Sequence, residues 1–288
     1  MTTIDTIRAN NDKFVANLST LNQQHKADRT SDKYSFIPTS RLIDSMSERG
    51  WAIRDAKETR SRKAELVGFQ KHMITFRNPD VGVVGSKDTV YPEIVLTNSH
   101  DGLASFNLMA GLFRLVCSNG LVVADAMFAS IKIRHQGFAD EHVGNAIDHV
   151  LRFIPQVSSR IAQWQNIQLD KQEQLVLANA AVQYKYGNDH DAASKIDLER
   201  LIKPVRPNDS DGTLWTAYNT IQEKLVKGAR IVREPKVSRW SYQHHGKARG
   251  VNGISENVRL NKALWSLADG MAKIKNGEAV AIPIPQIG

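Results

Sequence analysis

A chain of 288 residues with 41% hydrophobic and 24% charged side chains can bury one large core, or a core with a smaller helical extension, and is not disordered throughout. A single cysteine, Cys117, excludes an internal disulfide framework and a Cys-rich zinc module. The polar residues 1–10 and the lack of any run of about 18 apolar residues argue against a secretory signal and a membrane span, so a cytoplasmic protein is expected, and the net charge of +8 points to an acidic partner.

In chain order, Ile4, Ile7, Phe14, Leu18 and Leu21 fall at helical spacing, and the polar stretch 23–33 reads as a linker. Residues 1–33 are thereby set apart as an N-terminal helix and linker. Thr39 or Ser40 is placed to cap a short helix with Leu42, Ile43 and Met46 on its apolar face and Gly50 past its end. Residues 70–77 read as a strand ended by the Asn78-Pro79-Asp80 turn.

The middle of the chain carries the clearest β signals. Residues 93–100 and 103–108 are strand-like runs flanking Asp101-Gly102, a pair suited to a two-residue type I′ hairpin. That register sets Val95, Thr97 and Ser99 opposite Leu108, Phe106 and Ala104. The other face then presents Asn98, His100, Ser105 and Asn107 as candidate ligand contacts. A second hairpin at Asn119-Gly120 is expected to pair Cys117 with Val122 and Arg114 with Asp125. Residues 131–134 read as one more strand, with Lys132 and Arg134 interleaved.

Helices return with Val143, Ile147, Val150, Leu151, Ile154, Val157, Ile161 and Trp164, an amphipathic stretch that Pro155 is expected to kink or divide. A helix over about 171–186 stops at Gly187 and closes a core region of residues 34–187. Residues 188–288 read as a helical C-terminal region. It holds a short helix at 196–202, a helix capped by Asp211 or Thr213 and ended by Gly228, and a last helix over about 255–276. The expected fold class is α+β, with an antiparallel β-meander sheet packed against helices and helical segments at both ends.

Charge is unevenly distributed. Between residues 224 and 250 lie eight basic residues, Lys224, Lys227, Arg230, Arg233, Lys236, Arg239, Lys247 and Arg249, against the single acidic Glu234. A charge run is often only a solvated face. This one also contains Trp240, Tyr242, His244 and His245, which can stack on bases, and Gly246, Gly250 and Gly253, which suit a loop that orders on a partner. Catalytic patterns are weak by comparison. Ser99-His100-Asp101 cannot form a triad on one strand, because consecutive side chains point to opposite faces. Asp189-His190-Asp191 and His244-His245 lack metal-ligand spacing, and residues 82–87 lack the phosphate-loop pattern. No catalytic residue, metal or cofactor is assigned.

The runs at residues 34–39 (YSFIPT), 71–77 (KHMITFR), 98–102 (NSHDG), 114–122 (RLVCSNGLV), 211–219 (DGTLWTAYN) and 261–265 (NKALW) resemble a phage- and plasmid-borne family called domain of unknown function 932. The resemblance implies a mobile-DNA setting in a bacterial host and carries no catalytic residue with it. More distantly, the chain is similar to single-strand annealing recombinases, which implies a ring-forming oligomer holding a strand in a basic groove. The expected function is ATP-independent binding and annealing of single-stranded DNA in recombination, with Lys227, Arg230, Arg233, Lys236, Arg239, Trp240, Tyr242, His244, Lys247 and Arg249 as the strand-binding set, helped by Lys132 and Arg134. The alternatives are a mobile-element protein that inhibits a host defence complex and, third, a metal-dependent nuclease.

Overall fold

The computed structural model describes residues 3–78, 80–81, 90–114, 120–122, 130–133, 140–187, 189–231 and 246–278. The chain divides into two compact units, Met1–Ser158 and Ser159–Gly288.

In the first unit α1 (Thr3–Asn17) and α2 (Thr39–Glu48) precede the strands β1 (Ala52–Glu58), β2 (His72–Arg77), β3 (Val90–Asn98), β4 (Phe106–Arg114), β5 (Gly120–Val122) and β6 (Ser130–Ile133). The strands form an antiparallel sheet in the order β1-β2-β3-β4, with β5 and β6 both pairing along the far side of β4. Helices flank the sheet at both ends of the chain, and the fold class is α+β. Ile74, Phe76, Ile94, Leu96, Phe106, Leu108 and Ala110 line one sheet face. They share a core with Leu42, Ile43 and Met46 of α2 and with Ile147, Val150 and Ile154 of α3 (Asp140–Trp164). Each of these side chains other than Ala110 contributes about 1.5–3 kcal/mol by leaving water.

The end of α2 follows from its sequence. Gly50 sits at φ +80°, the Gly50 N–H reaches Ser47 O and the Trp51 N–H reaches Met46 O, a left-handed glycine stop that turns the buried Trp51 into the core. The start of α2 departs from expectation. Pro38 is the N-cap and no side chain caps the helix, because the Thr39 hydroxyl is engaged in the interior. The segment 23–33 is not a loose linker: Ala27 is buried, and its N–H reaches His100 O at 3.0 Å. Strand β1 gave no clear sequence signal. Among the described residues it is an edge strand pairing only with β2, interrupted by a bulge between Ile53 and Asp55, so only part of it needs apolar side chains.

Both expected hairpin registers are corrected. Thr97 faces Asn107, Leu96 faces Leu108 and Val95 faces Met109, one residue away from the two-residue-turn register. Such a slip exchanges the faces. The cause is local: Asp101 Oδ1 accepts the Leu103 N–H and Ser99 Oγ accepts the Ala104 N–H, both at 3.0 Å, which widens the turn. The His100 N–H meanwhile goes to Phe69 O at 2.8 Å, outside the β3–β4 ladder. In the second hairpin Val122 pairs with Gly111 and Gly120 with Phe113, so β5 lies further back along β4, beside the stretch that β6 takes. Cys117 and Asp125 lie outside the described residues.

The second unit contains the end of α3, then α4 (Lys171–Tyr186), α5 (His190–Ser194), α6 (Leu198–Ile202), α7 (Leu214–Lys227), the short strands β7 (Arg230–Ile231) and β8 (Gly246–Lys247), and α8 (Ile254–Lys275). Helix α3 continues through Pro155 and is not divided. Asp170 and Glu173 form a reciprocal capping box on α4, and Thr213 caps α7 by accepting the Thr216 N–H. Trp164, Trp215, Tyr218 and Trp265 form the aromatic centre of this unit, with the Trp164 and Trp265 rings 4.3 Å apart.

Candidate nucleic-acid interface

Helix α7 delivers its last turn into a basic corner of the second unit. Gly228 follows at φ +97°, and a side chain there would run into the carbonyl of Ala248; at Gly250 an added Cβ would stand 2.9 Å from Val226 O. These glycines let two backbones lie side by side. The Val251 N–H bonds Val226 O and the Ala248 N–H bonds Ala229 O, each at 2.8 Å, and the ladder continues into β7 and β8, where Arg230 faces Lys247 and Ile231 faces Gly246. The Asp197 N–H reaches Arg230 O at 3.1 Å, which ties the ribbon to the start of α6.

Beside the ribbon lies a cleft of about 350 Å³ whose lining includes Lys203, Val205, Glu223, Lys227, Arg230 and Lys247. Glu223 is clamped by Arg206 through two bonds of 2.6 and 2.8 Å and receives Lys227 at 2.6 Å. Burial pushes its carboxyl up, but the hydrogen bonds and charges of Arg206 and Lys227 outweigh that and hold it down at about 2, so it stays ionised. Lys224 also borders the cleft. Its ammonium donates to the carbonyls of Arg200, Leu201 and Lys203 at the end of α6, and burial lowers its pKa to about 8. Lys203, Arg230 and Lys247 make no ion pair among the described residues.

Of the strand-binding residues expected from sequence, Lys227, Arg230 and Lys247 come together here, and Arg249 is exposed beside them in sequence. Arg233, Lys236, Arg239, Trp240, Tyr242, His244 and Arg134 lie outside the described residues; Lys132 is in β6 opposite Asn107, and its side chain is not described. Arg200, Lys203, Arg206 and Glu223 were missed, because they come from segments distant in sequence or were read as helix and loop surface. The i,i+4 spacing of Glu223 and Lys227 was a legible signal.

The candidate sheet-face contacts are corrected by burial. Asn98 and His100 are fully enclosed, Ser105 and Asn107 are half-buried, and Asn98 and Asn107 do not lie on one face. His100 Nε2–H donates to Thr20 O at 3.0 Å. His72 Nδ1 stands 3.3 Å from Gln70 O, which assigns the proton there and leaves Nε2 to accept from the Thr39 hydroxyl at 2.9 Å. Asn98 Nδ2 donates to the same Thr39 oxygen at 3.2 Å. Burial, reinforced by His100, lowers the His72 pKa to about 3 and keeps it neutral. Ser99 and Asp101 turn to the backbone of their own loop, and Asp189 caps α5. Among the described residues no group of three or more His, Cys, Asp or Glu side chains is placed to hold a metal, and no helix is long and apolar enough to cross a membrane.

The family described as Domain of unknown function (DUF932) matches residues 26–265, most of the chain. The chain belongs to this family. The chain is similar over most of its length to proteins of Escherichia coli (strain K12): UPF0380 protein YafZ is 34% identical over 248 residues, 86% of this chain and 86% of that protein. UPF0380 protein YfjQ is 34% identical over 246 residues, 85% of each chain. The DUF932 match takes in both the buried histidine pair and the basic ribbon. No solved structure matches the chain.

Proposed function

We propose that this protein binds single-stranded nucleic acid by its phosphates, at the ribbon and cleft of the second unit. The observation that carries the reading is the cross-strand pair of Arg230 and Lys247 in a cleft shared with Lys203 and Lys227. Like charges directly opposite on a ladder oppose folding, and a bound anion relieves that cost. Strands β7 and β8 flank residues 232–245, whose sequence adds Arg233, Lys236 and Arg239 to Trp240, Tyr242 and His244, the cation-plus-aromatic composition that grips a flexible strand without reading its sequence. In this reading the protein works in the cytoplasm of a bacterial host on phage or plasmid DNA, annealing strands for recombination as a homo-oligomer without ATP.

Fluorescence anisotropy with single-stranded DNA, single-stranded RNA and duplex DNA across a salt series tests this. Four phosphate contacts at about 0.7 each predict a log–log salt slope near −2.8 for single strands. Light scattering with and without the strand tests assembly, for which an oligomer is expected. Absence of binding, or a slope indistinguishable from zero, removes the proposal and favours a protein partner; strand cleavage dependent on magnesium would instead favour a nuclease.

A further inference from the structure

The two features of the cleft that would repel an anion are both covered. Glu223 offers Oε1 to Arg206 and Lys227 and Oε2 to Arg206, and the carbonyls at the end of α6 are covered by Lys224. The cleft is also lined by the cationic set of Lys203, Arg230 and Lys247, which make no ion pair among the described residues, with Lys227 held on one side by its bond to Glu223. The ribbon that carries two of these cations is fixed by its own ladder and by the Asp197 bond, so little order has to be created when a ligand arrives. The concavity holds about 350 Å³, near the lower end of small-ligand pockets. Several cations converging on so small a volume suit a compact anion of high charge better than a diester chain. A diester carries one charge per phosphate, whereas a terminal phosphate carries about −1.5 to −2.

We propose that this cleft binds a compact phosphate polyanion, either the terminal phosphate of a nucleic-acid strand or a free oligophosphate. The proposal rests on the reading of the ribbon as a phosphate-binding surface and goes beyond it in assigning end selectivity. Two measurements on the full chain test it: anisotropy with one oligonucleotide carrying a 5′-phosphate, a 3′-phosphate or hydroxyls at both ends, and calorimetry with pyrophosphate. A strand-end ligand predicts that one phosphorylated end binds about tenfold tighter than the hydroxyl strand, the scale of one added charge-assisted hydrogen bond. That preference should disappear in R230Q/K247Q and persist in K57Q, an exposed lysine of β1. A free oligophosphate predicts saturable pyrophosphate binding, lost in R230Q/K247Q, with the strands equal. Equal strand affinities together with no pyrophosphate binding overturn the proposal; if the hydroxyl strand still binds with a salt slope, the strand-binding reading stands, and if no strand binds, both fall. Thermal melts of R230Q/K247Q, expected to match or slightly exceed the parent because the like-charge pair is removed, show that a lost preference is not lost folding.

Discussion

The first unit buries two imidazoles, a threonine hydroxyl and an asparagine amide where no solvent reaches them, while the second leaves lysines and arginines around an open cleft. In the first, hydrogen bonds join His72, Thr39, Asn98 and His100 to one another and to groups on neighbouring segments: the turn after α1, the start of α2, the loop before β2 and the end of β3. Closure makes such a network a device for fixing which segments meet, because any mispairing strands a buried polar group at about 1–3 kcal/mol. At the cleft of the second unit the acidic Glu223 is covered by Arg206 and Lys227, whereas the cations Lys203, Arg230 and Lys247 make no ion pair among the described residues. The same polar chemistry therefore specifies a fold where it is sealed and, where it is open, forms the surface for which phosphate binding is proposed.

The comparison breaks most visibly under charge reversal. Replacing Lys203, Arg230 and Lys247 together by Glu removes the three proposed phosphate contacts and adds three repulsions, so strand affinity at low salt should fall by about two orders of magnitude. Stability should change by no more than about 0.5 kcal/mol per exposed site. Anisotropy and thermal melts on one preparation read both quantities. A variant that binds like the parent would reduce the cleft to a solvated face.

The converse change is Thr39→Val. It keeps the shape and removes the oxygen shared by His72 and Asn98, so unfolding should become easier by about 1–3 kcal/mol, with strand affinity unaltered. Denaturant melts and anisotropy decide it, and an undiminished midpoint would show that the hydroxyl is not needed for the network.

Acid distinguishes the regions more gently. The His72 pKa is about 3 in the fold against about 6.5 unfolded, so the unfolded chain takes up a proton that the folded chain refuses. Stability is complete above about pH 6.5 and declines as pH falls toward 3, by about 1.4 kcal/mol per pH unit for this one imidazole. Melting temperatures recorded from about pH 7 to pH 5 should fall for the parent and less steeply for His72→Gln. Identical profiles would remove His72 as the source. Salt bridges such as Lys171–Glu199, both side chains well exposed, should matter least, at about 0–1 kcal/mol in a Lys171→Gln melt.

Much of this molecule was legible from periodicity and punctuation. The α4 and α7 helices end at Gly187 and Gly228 as read, Thr213 caps α7, and residues 72–77, 131–133 and 198–202 lie within segments given the right element type. Strand β1 was missed because the sequence AIRDAKE at an edge buries only Ile53 and shows no clean alternation. The basic corner was half legible: Lys227, Arg230 and Lys247 stood in one charged window, but Lys203 and Arg206 precede α7 and meet them only because the chain folds back.

The sequence by itself determined most element types, the family and the concentration of positive charge, because these depend on residues near one another along the chain. Tertiary structure alone decided the hairpin registers, where side-chain bonds at Ser99 and Asp101 overrode a favoured turn dipeptide. It also decided which polar residues are sealed and which are open. Burial is a property of what packs over a residue, and for His72, His100 and Asn98 those covering groups, Thr20 and Thr39 among them, lie 33 to 80 positions away.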